Sequence, residues 1–217
     1  MAKLVWDETG TRTFETGVDH GVVYPVATGG TYGKGIAWNG LTSIAESPSG
    51  AEPTNLYADN IKYLTLLSAE DFGGTINAYT YPVEFELCDG TAEVGKGVVI
   101  AQQPRKMFGL VYRTKIGNDT EGQDLGYKLH LIYGALASPS EKTRDTINES
   151  PSAVEFSWTF TTTPVNVTGH SATAHLTIDS TRVDQEKLTQ IEDALFGTDS
   201  EEPRLLLPDE VIAILNG

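Results

Sequence analysis

The chain has 217 residues, of which 39% are apolar, 9% aromatic and 21% charged; that suffices for one large core and excludes wholesale disorder. A formal net charge of −15 repels phosphates and excludes nucleic-acid binding by charge neutralisation, although it suits a surface that DNA passes without sticking. The one cysteine, Cys88, excludes an intrachain disulfide and a framework built for an oxidising compartment.

The N-terminal MAKLVWDETGTR carries no apolar signal-peptide core, and no apolar run approaches the roughly 20 residues that span a bilayer. The expectation is a soluble protein made in the cytoplasm, with no membrane insertion. The N-x-[ST] sequons at Asn118, Asn148 and Asn166 then read as chance matches. From Phe14 onward, short β-branched and aromatic runs alternate with glycine-rich or polar turns. Strands are predicted over 14–26 (with a glycine bulge), 35–47, 60–68, 74–81, 97–103, 108–116, 127–136 and 172–179. The clearest strand is AVEFSWTFTTTPV, in which Val154, Phe156, Trp158 and Phe160 alternate with polar residues. YPVEFELCDG alternates like a strand, yet Pro82 suits a helix start and Gly90 a helix stop; a short helix near 82–88 is the preferred reading.

Beyond residue 180 the period changes. Leu188, Ile191 and Leu195 share one helical face, Asp184 suits the N-cap, Val183 and Leu188 suit a hydrophobic staple, and Gly197 suits the stop. LPDEVIAILNG has Pro208 near its start and Asp209 and Glu210 in its first turn, as a second helix favours. The expected organisation is a β-sandwich domain over 1–180 and an acidic helical extension over 181–217 that packs on the sheet or on a neighbouring subunit. Repeated short strands make the fold mainly β, an antiparallel sandwich or barrel with one or two C-terminal helices.

Motifs for chemistry fail their tests. GTAEVGKGV (Gly90–Val98) matches the glycine spacing of a phosphate-binding loop, but Gly97 stands where a metal-holding hydroxyl is needed, and a strand rather than a helix follows. GGTYGKG lacks even the spacing. The natural reading of both is a turn or hairpin tip, with Lys96 in solvent. The four histidines show no H-x-x-x-H pair, so no metal site and no cofactor is expected. His130 is out of phase with Leu129 and Leu131 and is assigned to the polar side of its strand. Asn118, Asp119, Glu121 and Asp124 could hold calcium but lack the EF-hand pattern, so a solvated loop is preferred. No G-x-S-x-G occurs, and a lone cysteine is usually structural. No enzymatic activity is expected.

Two stretches are more specific. Residues 51–90 contain P-T-x-L-Y-A-D-N, then G-x-x-x-A-Y-x-Y-P-x-E-F-x-x-C-D-G. Residues 108–167 contain Y-R-T-x-I-x-N-D, H-L-I-Y, T-I-N-x-S-P and F-S-W-x-F-x-T-x-P-V, and LTIDSTRVD and PRLLLPDEV follow. These resemble the major tail proteins of long-tailed, non-contractile bacteriophages, closest to those from phages of actinobacteria. The resemblance implies a tail-tube type β-sandwich that forms hexameric rings stacked into a hollow tube in the virion. The tube would enclose the tape measure protein, join tail terminator and distal tail proteins at its ends, and conduct DNA into the host.

In SPSGAEPTNLYADN, Pro53 and its small neighbours favour an extended turn, with Leu56 and Tyr57 at the tip. Leu56, Tyr57, Asp59 and Asn60 are candidate subunit-interface residues, as is Lys96 through a carboxylate on a neighbour. The alternative for Leu56 and Tyr57 is that they fold back into their own core. The alternative function is a monomeric carbohydrate-binding sandwich that uses Trp38, Trp158 and tyrosines as sugar platforms.

Overall fold

A computed structural model of the chain describes residues 3–147, 149 and 152–217; the Asn148 sequon and the end of T-I-N-x-S-P lie outside the described residues. The fold is mainly β and antiparallel. In chain order the strands are β1 (Thr13–Pro25), β2 (Ile36–Trp38), β3 (Leu41–Glu46), β4 (Ser49–Gly50), β5 (Pro53–Ala58), β6 (Ile61–Leu67), β7 (Glu70–Asp71) and β8 (Gly73–Ala78). A short helix α1 (Glu86–Asp89) follows, preceded by a 3-10 turn over Val83–Phe85. Then come β9 (Ala92–Gly95), β10 (Val98–Ile100), β11 (Phe108–Asn118), β12 (Gly122–Ala137), β13 (Phe156–Thr162), β14 (Val165–Val167), β15 (His170–Thr173) and β16 (His175–Asp179). Helices α2 (Gln185–Phe196) and α3 (Pro208–Asn216) end the chain.

The central sheet has eight strands in the order β2-β1-β11-β12-β13-β8-β3, with β16 also on β12. Its two ends, β2 and β3, are joined only by Asn39–Gly40, so the predicted single strand over 35–47 is two strands on opposite ends of the path. Strand β12 serves both layers. Lys128–Ile132 pair with β16 and Ala135–Ala137 pair with β13, with Gly134 between them. Gly134 has φ of 58°, and a Cβ there would lie 2.3 Å from the Thr163 carbonyl oxygen, so the bend demands glycine. The glycine bulge expected in β1 is present as register shifts between Thr16 and Val22.

Strand alternation distributes the apolar residues between two cores. Val23, Leu110, Ile132, Ile76, Trp158 and Phe160 meet between the layers, with Trp38, and Phe85 and Cys88 close this core. Gly90, with φ of 78° and ψ of 34°, ends α1 in the left-handed cap expected of it, whereas Pro82 is the residue before the 3-10 turn rather than within it. Burial pushes the Cys88 thiol up to about 12, so it behaves as packing. The opposite faces of the same strands present Val22, Tyr24, Val111, Leu129, Leu131 and Tyr133 to Leu188, Ile191, Leu195, Leu205, Leu206 and Val211 of the C-terminal segment. Residues 181–217 therefore pack on their own sheet. Each aliphatic side chain so buried contributes about 1.5–3 kcal/mol of transfer free energy. Asp184 caps α2 by accepting from the Glu186 amide at 2.9 Å, as its sequence position predicts. A polar chain ties α2 to the sheet: Asp19 takes two bonds from Arg113, which lies 4.9 Å over the Tyr127 ring, and Tyr127 donates to Glu192 at 2.6 Å.

One charge is buried with its partners. Asp89, at the end of α1, accepts from the Trp158 indole at 3.0 Å and from Lys142 at 2.5 Å, with Arg105 at 3.8 Å. This carboxylate fastens α1 and the 138–147 segment to β13.

Candidate subunit interfaces

The segment between β3 and β8 is a long two-stranded arm. Strands β3 and β8 form its root inside the sheet, β4 pairs with β7 farther out, and β5 pairs with β6 at the end. At about 3.3 Å per strand residue, Glu46 to the Asp59–Asn60 turn spans roughly 40 Å. Asp59 and Asn60 have φ of 51° and 63°, the double left-handed conformation of a type I′ hairpin turn that Asp and Asn tolerate. Pro53 opens β5 at a first-strand position where its missing N–H is harmless. The segment predicted as an extended turn is thus half of a ribbon.

Every residue of β5 and β6 is exposed. Tyr57 is 70% exposed and Leu67 71%. The register sets Leu56 opposite Leu64 and Thr54 opposite Leu66, so Leu56, Leu64 and Leu66 share one face, while Tyr57, the next residue along β5, points to the other. Ile61, Tyr63 and Leu67 occupy the other. Leu56 and Tyr57 do not fold back into the core. Among the described residues no further strand pairs with β5 or β6, which leaves both backbone edges open as well. Ile61, Tyr63, Leu66 and Leu67 were not singled out from sequence. Their signal was NIKYLTLLS itself, which is apolar on both strand faces without being part of a buried sheet.

GTAEVGKGV is resolved into two turns. Gly90 caps α1, and Lys96–Gly97 turn the β9–β10 hairpin, where the Gly97 amide donates to Glu93 at 2.8 Å. The glycines do not lead from α1 straight into GVVIAQQ, because Ala92–Gly95 is itself a strand. Lys96 stands exposed at that tip, between antiparallel strands rather than between a strand and a helix. Val94, Val98, Val99 and Ile100 leave this second ribbon apolar and exposed, and Leu4, Val5 and Trp6 do the same for the N-terminal arm.

The acidic 118–124 loop is engaged with itself. Asn118 accepts from the amides of Thr120 and Glu121 and donates to the Gly10 carbonyl, while Asp119 accepts from the Gly10 amide at 2.9 Å. The histidines require a correction. Scattered in sequence, His130 and His175 adjoin in space, with Nδ1 of His130 3.2 Å from Nε2 of His175. His130 is out of phase with Leu129 and Leu131 and sits on a polar side with Thr114, Glu15 and Glu46 around it, as its spacing predicts, but that side is enclosed and leaves it only 6% exposed. Trp38 and Trp158 are buried in the inter-layer core, edge to face at 5.5 Å. Among the described residues no helix is long and apolar enough to cross a membrane.

No family model matches the chain, and no curated protein matches it.

Proposed function

We propose that the chain is a structural subunit of a bacteriophage tail tube, forming hexameric rings that stack around a lumen. The observation that carries this reading is the β5–β6 ribbon, apolar on both faces and open at both edges. Such a surface on a lone domain invites aggregation; in a ring stack each arm lies on the neighbouring subunit. The sequence resemblance to tail tube proteins supports the same assignment. The tape measure protein is the partner expected in the lumen before infection, and DNA is the transient occupant afterwards. The 30 carboxylates suit a wall that DNA slides along without binding. The carbohydrate-binding reading loses its tryptophan platforms to the core.

Negative-stain electron microscopy across a concentration series tests the proposal. The parent forms hexagonal end-on rings and tubes, and Leu56→Ser with Tyr57→Ser abolishes them while leaving the folded monomer intact. Tubes from the double variant at parental yield refute the role of the ribbon. A parent that stays monomeric at every concentration, with its tape measure protein present, refutes the tube itself.

A further inference from the structure

Three strands from the two layers bring Glu46 (β3), His130 (β12) and His175 (β16) together at one end of the inter-layer core. Nδ1 of His130 lies 3.2 Å from Nε2 of His175 and 3.4 Å from Oε1 of Glu46. Donors bound tetrahedrally to zinc at about 2.0–2.1 Å sit about 3.3 Å apart, so these separations are those of a shared ion.

The surrounding bonds fix which nitrogen is free. The Thr114 hydroxyl gives its one proton to Glu15 at 2.6 Å, so at 3.0 Å it can only accept from Nε2 of His130. With its proton on Nε2, neutral His130 presents a bare lone pair at Nδ1. It faces Glu46 Oε1, another acceptor, whose phenolic donor is Tyr112 at 2.5 Å. Two acceptors at 3.4 Å repel unless a cation joins them. Without an ion, Nε2–H of His175 can serve Nδ1 of His130; with one, His175 shifts its proton to Nδ1, which lies 3.7 Å from Glu46 Oε2. Two rings hold the donors still: Tyr112 stacks on His130 at 4.6 Å and Phe72 on His175 at 4.8 Å, while the two imidazoles meet edge to edge and nearly coplanar. Lys128 is turned away to Glu15 at 2.5 Å, and Thr177 stands 3.3 Å from Nε2 of His175.

We propose that Glu46, His130 and His175 bind one Zn²⁺ ion, which clamps the two layers of the sandwich together. Two imidazoles and a carboxylate suit zinc among the common divalent ions, and a water completes the tetrahedron. Tyr112 and Thr114 act on the ligands rather than on the ion, by orienting Glu46 and fixing the tautomer of His130.

Chelator-treated protein is titrated with ZnCl₂ by calorimetry and with Co²⁺ by visible absorption. One Zn²⁺ binds per chain, and Co²⁺ gives the intense bands of a four-coordinate site. Free Zn²⁺ at about 100 times its Kd raises the melting temperature by roughly 5–10 °C. His175→Ala and Glu46→Gln each weaken binding by at least about 100-fold, Tyr112→Phe by about 10-fold, and His20→Ala or His170→Ala not at all. Far-UV circular dichroism checks each fold. Glu46→Gln, isosteric and partly exposed, decides the matter if His175→Ala misfolds. No uptake by the parent, or uptake unchanged in Glu46→Gln, overturns the proposal.

Discussion

Replacing Asp89 by alanine removes the acceptor that the Trp158 indole meets at 3.0 Å and the partner that Lys142 meets at 2.5 Å. The indole is fully buried and among the described residues keeps no other partner, so its stranded donor costs about 1–3 kcal/mol. Lys142 retains 24% of its side-chain exposure and can swing to water, which holds the loss below that of a fully enclosed ion pair. Together these give about 2–4 kcal/mol, which lowers the melting temperature of a chain this size by roughly 5–15 °C. Lys142→Met is milder, about 1 kcal/mol, because Asp89 keeps Trp158 and gains the nearby Arg105 while the new side chain still reaches the Tyr81, Phe156 and Trp158 rings. Urea unfolding at dilutions that keep the chain monomeric, followed by tryptophan fluorescence, measures both. Asp89→Ala within about 0.5 kcal/mol of the parent, or a larger loss from Lys142→Met, refutes the reasoning.

Gly134→Ala combines a left-handed φ with a Cβ 2.3 Å from the Thr163 carbonyl and lowers urea stability by roughly 3 kcal/mol or more. Gly95→Ala, with open space around it, stays within about 0.5 kcal/mol; equal effects at both sites would show that the β12 bend does not need glycine. The Arg113 hydrogen bonds hold the Asp19 carboxyl below its ordinary 3.8, so their stabilisation is present above that pH and is lost as pH falls through the lowered value. Asp19 is a third exposed, so the effect is under about 1 kcal/mol, and Arg113→Met flattens the acid limb of the stability profile; an unchanged limb counts against the pair. Under the tube reading, Lys96→Glu leaves the melting temperature unchanged but weakens assembly seen by light scattering, and parental assembly removes Lys96 from the interface.

Local rules read the ends of elements well. Asp184, Gly197, Pro208 and Gly90 act where the backbone needs a cap, a stop or a φ that few residues adopt, and that need is written within a few residues. The strict alternation through Phe156, Trp158 and Phe160 likewise marks a strand whose buried face is one core. Alternation alone could not say that β1, β11 and β12 have a core on each side. His130, out of phase with Leu129 and Leu131, does sit on the polar side of its strand, but nothing local says that Tyr112, Glu46 and His175 meet it there from other strands. That meeting depends on registers set across 45 residues for one histidine pair and 66 for the phenol and Glu46. The arm failed differently. Ile61, Tyr63, Leu64 and Leu66 carry the composition of an interior strand, and only the absence of any packed layer above them marks a projection.

That projection bears on how growth would begin. A ribbon of two strands with no third element behind it is marginally stable in water, so the first subunits to meet must order their arms as they dock. The ordering free energy subtracts from their mutual affinity, while a later subunit meets a seat whose arms are already fixed. Under the tube reading, this separates a high nucleation barrier from easy elongation. Free subunits then persist above the critical concentration until a preformed end supplies the first ordered rim, and tube length is governed by where assembly is started and stopped rather than by how much protein is made.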